Sequence, residues 1–170
     1  MSKNTLIDRI LRQTPEAPSS VELVSKEIIE ALKSIRATGH GALIFLAGNH
    51  PLTEIEASGD SLDAKMSSRL IFTIFQKESP LHDGAMMVRG DRIVAVRCIL
   101  PISKSLGISP ELGLRHRAGV GLAEISDALV IIASEERREV SLAYQGNLRR
   151  KVDYLEIEEA IQLHYQRSLL

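Results

Sequence analysis

Three short segments combine residue types that could act together on a phosphorylated ligand. The first is Leu81-His82-Asp83-Gly84-Ala85. A carboxylate followed by two very small residues can hold a cation while a ligand comes close to the backbone. The second is Gly113-Leu114-Arg115-His116-Arg117, which follows a loop rich in glycine and proline and opens a predicted helix. Free backbone N–H groups and two guanidinium groups there would suit an anion the size of a triphosphate. Arg115 and Arg117 are two residues apart, roughly 200° around a helix, so they cannot share one helical face. Either they precede the regular helix or they serve two different phosphates. The third segment is Ser134-Glu135-Glu136, at the end of an apolar run. A strand end is a rigid support for a second metal-binding carboxylate. Taken singly, each segment also has a plainer reading: an ordinary turn, a solvated basic surface, and a charged hairpin tip running from Glu135 to Arg138.

The apolar periodicity predicts the elements that must position these segments. Leu6, Ile7, Ile10 and Leu11 have the spacing of a short amphipathic helix over 4–13, and Pro15 and Pro18 interrupt it. Ser19-x-x-Glu22 is a capping-box pattern. Val21, Val24, Ile28, Ala31 and Ile35 then share one face of a helix over about 20–38, with Gly39 as its stop. Gly41–Ala47 is a continuous apolar run and reads as a buried strand. Asn49, Pro51 and Gly59 mark irregular structure, and Met66, Leu70, Ile71, Ile74 and Phe75 fit a helix ending before Pro80.

Ala85–Arg89 and Arg92–Leu100 read as strands joined by a Gly90-Asp91 turn. Residues 101–113 form a loop, and Arg115–Ile125 a helix weakened by Gly119 and Gly121. Ala128–Ser134 and Glu139–Tyr144 are paired strands, and Asp153-x-x-Glu156 caps a last helix near 154–166. The expectation is an α/β fold with a mixed central β-sheet covered by helices. An N-terminal helical appendage occupies 1–37, and one domain occupies 38–170.

Composition narrows the function classes. A chain of 170 residues can bury one sizeable core. Trp is absent and only three Phe and three Tyr occur, so that core must be aliphatic. A formal net charge of -1 argues against a protein held to nucleic acid by bulk charge. No apolar stretch reaches the roughly 20 residues needed to span a bilayer, and no signal peptide is expected. Cys98 is the only cysteine, which rules out an intramolecular disulfide and suits a reducing cytoplasm. It sits in an apolar run and reads as a core residue. The five histidines show no zinc spacing, and neither a Walker A sequence nor a Gly-x-Ser-x-Gly elbow occurs.

Together, Leu81–Ala85, Gly113–Arg117 and Ser134–Glu136 have the order and spacing of the diadenylate cyclase domain, and the chain resembles that family over about 38–150. Leu62–Lys65, Cys98–Pro101 and Tyr144–Leu148 look similar to it as well. The resemblance implies condensation of two ATP into cyclic di-AMP with a divalent metal, Mn2+ or Mg2+. It implies that Asp83 is the metal carboxylate, completed by Glu136 and His82. Gly84, Ala85, Leu100, Gly113, Leu114, Ser134 and Glu135 would bind ATP, Leu100 through its backbone to adenine. Arg115, His116 and Arg117 would take the triphosphate, serving catalysis with Asp83.

Three residues depart from the family pattern. Leu114 stands where Thr is frequent, Gly119 where Ala is usual, and Ile99 where some members carry an aromatic. The implied partners are ATP and a second copy, since two nucleotides must face each other. A larger homo-oligomer could form through residues 1–38. The rival reading is a nucleotide-sensing module of the same fold without catalysis, and a third is an assembly subunit.

Overall fold

The computed structural model describes residues 20–168. The capping-box serine Ser19 and the amphipathic pattern over 4–13 lie outside the described residues. Along the chain the elements are α1 (Ser20–Thr38), β1 (Ala42–Leu46), α2 (Thr53–Ser58), β2 (Asp60–Lys65), α3 (Ser68–Phe75), β3 (Ala85–Arg89) and β4 (Arg92–Cys98). They continue with α4 (Leu114–Ile125), β5 (Leu129–Ala133), β6 (Val140–Tyr144), β7 (Asn147–Arg149) and α5 (Tyr154–Ser168).

The strands form one seven-stranded mixed sheet in the order β2-β4-β3-β1-β5-β6-β7. β1 pairs in parallel with β3 and antiparallel with β5. Every residue of β1 and β5 is buried, as their unbroken apolar sequences require of central strands covered on both faces. One face packs against α1, α3 and α5, with Val24, Ile28, Leu32 and Ile35 of α1 fully buried in that core. The other face packs against α4, α2 and the loop after β4, through Phe45, Met87, Leu122 and Ile132. Both cores are dominated by aliphatic side chains, as the composition requires.

The edge strands β2 and β7 and the short helix α2 escape the apolar-pattern reading. β2 is DSLDAK and no residue in it is buried, so it has no apolar face to betray it. Met66 stands outside α3, whose start is capped by the Ser67 hydroxyl accepting from Leu70 N–H. At α5 the capping pair forms in both directions. Asp153 N–H donates to Glu156 Oε2 at 2.9 Å, and Glu156 N–H donates to Asp153 Oδ1 at 2.8 Å.

Gly119 and Gly121 look like flaws in α4 but have a packing reason. A Cβ at Gly119 would lie 2.7 Å from Ile132 Cδ1, and one at Gly121 1.8 Å from the Pro101 carbonyl oxygen. Their missing side chains let α4 lie close to the sheet and to the loop.

Candidate active site

A cavity of about 690 Å³ opens where β1 and β3 begin and β4 and β5 end. All three chemistry-bearing segments reach it. Asp83 and Gly84 arrive from the turn before β3, Gly113, Leu114, Arg115 and His116 from the start of α4, and Ser134, Glu135 and Glu136 from the end of β5. Leu100 closes one side. Three sequence candidates do not line it: His82, Ala85 and Arg117. Ala85 opens β3 with its side chain fully buried in the α4-side core. Arg117 lies inside regular helix, two residues on from Arg115, and so faces elsewhere. The option that both arginines precede the helix is thereby removed.

α4 presents unpaired backbone donors to the cavity. Its N-cap is Gly113, which offers no side-chain cap. The N–H groups of the first turn are left for a ligand, and the helix dipole favours an anion there. Arg115 leans over the same region. A Cβ on Gly41 would lie 2.4 Å from Arg115 Nη1, so the guanidinium rests directly on the glycine that precedes β1. Its Nη1 is 3.5 Å from Glu135 Oε2, and Lys77 Nζ is 3.7 Å from Glu135 Oε1. Glu135 is therefore flanked by two cations, which offset its charge near the start of α4.

His116 is 4% exposed and its Nε2 has no hydrogen-bond partner. Burial holds its pKa below the usual histidine value, so the ring favours the neutral form. The residue lines the cavity, but its Nε2 is itself closed to solvent. The Ser134 hydroxyl accepts from Arg137 N–H at 3.1 Å, which tightens the turn. Its own proton remains to donate.

Asp83 projects into solvent, its side chain 84% exposed. His82 Nδ1 lies 2.7 Å from the Ser79 carbonyl oxygen, which can only accept, so Nδ1 carries the proton. Nε2 then presents a lone pair to Asp83 Oδ1 at 3.4 Å. Two acceptors facing each other suit a cation between them. That donor set fits a divalent ion whose remaining positions are filled by phosphates and water. Among the described residues, no three His, Cys, Asp or Glu side chains gather into a metal cluster; Glu136 shares the cavity without joining the His82–Asp83 pair.

Gly84 has φ +83, and a Cβ on it would lie 2.8 Å from the Arg97 carbonyl carbon. The crowding comes from a register shift between β3 and β4, where Arg97 itself has φ +58. Smallness at Gly84 thus serves its own sheet as well as a ligand. Cys98 is buried in the cavity floor, with its thiol pushed up to about 11, first by burial. It is a core residue and not a nucleophile.

The sequence profile of the DAC family, DisA bacterial checkpoint controller nucleotide-binding, matches residues 29–148. The chain belongs to the DAC family. The Bacillus thuringiensis protein diadenylate cyclase CdaS is 43% identical over 73% of this chain and 62% of its own length. The cyclic di-AMP synthase CdaA of Bacillus subtilis is 38% identical over 87% of this chain and 56% of its own length. This DAC chain thus spans less than two thirds of these curated relatives. A double cysteine mutant of DacA from Staphylococcus aureus has the same fold, with TM-score 0.84 at 35% identity, covering 87% of this chain and 99% of that one. A hypothetical membrane spanning protein from Bacillus cereus matches with TM-score 0.73 at 41% identity, over 76% of this chain and 63% of that one. In the DAC chain itself, among the described residues, no helix is long and apolar enough to cross a membrane.

Gly41, Lys77, Glu111 and Arg137 belong to this site or support it, and sequence reasoning missed them. Gly41, Lys77 and Glu111 come from different parts of the chain with no motif around them, and Arg137 was passed over as part of the charged run from Glu135 to Arg138. Only the packing of the DAC fold brings them to the cavity.

Proposed function

We propose that this chain is a diadenylate cyclase, joining two ATP molecules into cyclic di-AMP with release of pyrophosphate. The observation that carries this is the single cavity uniting Asp83, the start of α4 and the Ser134–Glu136 turn. The names of the relatives support it. The N–H groups at the start of α4, with Arg115 and the Ser134 hydroxyl, would hold the triphosphate. Arg117 would serve from outside the cavity wall, toward an outer phosphate or the facing copy. His116 would stand in the cavity wall beside the triphosphate. Leu100, with Gly84 behind it, would position the base and sugar.

Asp83 and His82 would hold a divalent cation, Mn2+ or Mg2+, with Glu136 facing the same space. A cation held there would lower the pKa of the ribose 3′-hydroxyl and polarise the α-phosphate. The arginines would offset the charge that builds on departing pyrophosphate. Each 3′-hydroxyl must meet the other nucleotide's α-phosphorus, which one cavity holding one ATP cannot arrange. The reading therefore requires two copies face to face about a twofold axis. Ile99, 70% exposed, and Leu114, 73% exposed, give the cavity mouth an apolar rim suited to that contact. The apolar face of α1 is occupied by its own core, so a larger assembly would draw mainly on residues 1–19, outside the described residues. A free, buried Cys98 fits a reducing cytoplasm.

The test is incubation with ATP and Mn2+ or Mg2+, followed by mass analysis. A cyclic dinucleotide is expected, at a specific rate that rises with protein concentration. Its absence with both metals would reject the proposal.

A further inference from the structure

Two walls of the cavity come from segments that also touch each other behind it. One wall is the loop after β4, which brings Leu100 and Ile102; the other is the start of α4, which brings Arg115 and His116. Away from the cavity the loop meets the middle of α4. Ser103 there is only 3% exposed. Its backbone N–H donates to the Arg117 carbonyl at 2.9 Å, and its hydroxyl donates to Glu124 Oε1 at 2.5 Å. The same hydroxyl accepts from Ser105 N–H at 3.2 Å, which bends the loop around it. On the helix side, Gly121 makes the approach possible. A Cβ on it would lie 1.8 Å from the Pro101 carbonyl oxygen and 2.9 Å from Ser103 N. Both are backbone atoms and cannot rotate away, so any side chain at 121 must drive loop and helix apart.

We infer that Ser103, Gly121 and Glu124 form a latch that sets the width of the cavity, and through it the affinity for a nucleoside triphosphate that must touch both walls. None of the three lines the cavity, so they are positioning residues. The inference rests on the ATP reading above. A ligand confined to the α4 wall, such as inorganic tripolyphosphate, does not depend on the width. A ligand that bridges from α4 to the Leu100 loop does, because misplacing one wall by about 1 Å breaks the fit.

The test uses the full chain and its Gly121→Ala, Ser103→Ala, Glu124→Ala and Glu124→Gln variants. ATP and tripolyphosphate are titrated separately by calorimetry. Gly121→Ala and Glu124→Ala should weaken ATP by about tenfold or more, near 1.4 kcal/mol. Tripolyphosphate should change by less than about twofold. Glu124→Gln keeps an acceptor for the Ser103 hydroxyl and should restore ATP binding. Equal losses for both ligands, or no loss for either, would overturn the latch. Hydrogen exchange reads it without nucleotide. Amides of residues 99–106 should lose protection in Ser103→Ala and Glu124→Ala and keep it in Glu124→Gln; unchanged protection in all variants would overturn the latch. If the parent chain bound no ATP, the functional reading would fall, while the exchange measurement would still decide the latch.

Discussion

His116, beside the cavity, and His164, at the opposite end of the sheet, are buried to similar depth, 4% and 3% exposed. Burial lowers the pKa of both. Their surroundings differ. His164 Nε2 lies 3.1 Å from the carbonyl oxygen of Ala47, just past β1, and its ring stacks edge-on against Tyr165. It borders an apolar groove of about 350 Å³ lined by Leu129, Leu142, Leu148 and Leu163. His116 Nε2 has no partner, and its cavity is lined by arginines, carboxylates and helix N–H groups. A satisfied buried histidine holds structure together. An orphaned one costs stability. The two ends of one sheet thus divide: one satisfies its buried histidine and the other does not.

The sharpest way to break that division is at Asp83. Asp83→Asn keeps the shape and removes the charge that would hold a cation. Cyclase activity should fall by at least about 100-fold, the scale of losing a main electrostatic contributor. Thermal melting should stay unchanged, because the carboxylate is 84% exposed and supports no core contact. Near-normal product formation would remove Asp83 from the metal site.

A paired substitution tests the histidines directly. His164→Leu strands the Ala47 carbonyl and should cost about 1–3 kcal/mol in denaturant unfolding. Below its melting temperature it should keep ATP turnover within about twofold of the parent. His116→Leu removes an unsatisfied atom, so stability should hold or rise, while turnover should fall by about tenfold or more. The same ranking for both variants in both assays would erase the contrast.

Gly41→Ala should act on the cavity end alone. The added methyl would meet the Arg115 guanidinium at 2.4 Å and push it off its seat. About a tenfold rise in the ATP concentration for half-maximal rate is expected, with folding intact.

Acid should weaken both ends together. Each histidine is held neutral in the fold, with a pKa below the unfolded value of about 6.5. Below that pH the unfolded chain binds more protons, so stability falls as pH falls toward the folded values. Melting curves between pH 7.5 and 5.5 should show the loss, and each His→Leu variant should remove part of the slope.

The smallest effect is expected at Gly119→Ala. Helix propensity favours Ala by about 1 kcal/mol. The methyl would meet Ile132 Cδ1 at 2.7 Å, Ile132 Cγ1 at 3.0 Å and Val130 Cγ1 at 3.2 Å, all side-chain atoms and none of them backbone. A net change within about 1 kcal/mol should appear in denaturant melts. A loss of several kcal/mol would show that Ile132 and Val130 cannot yield to the methyl.

Much of the fold was legible along the chain. The helix expected over about 20–38 is α1, the run 41–47 contains β1, and the Gly90-Asp91 turn joins β3 to β4. These elements carry their own signal, because each buries one face or both and so spaces its apolar residues regularly. β2, β7 and α2 bury little and left no pattern. The three cavity-lining segments were also legible, not singly, where each also reads as a turn, a basic surface or a hairpin tip, but together, in their order and spacing.

Residue type and local spacing determined the central strands, the capped helices, the aliphatic core and the membership of the three segments in one family pattern. Tertiary structure alone decided that Arg115 enters the cavity and Arg117 does not. It also decided that Gly41 seats a guanidinium and that Gly121 admits the Pro101 carbonyl into the side of α4. The reason is physical. Periodicity reports what one element buries, whereas a close approach is a property of two backbones, and neither stretch of sequence records the other.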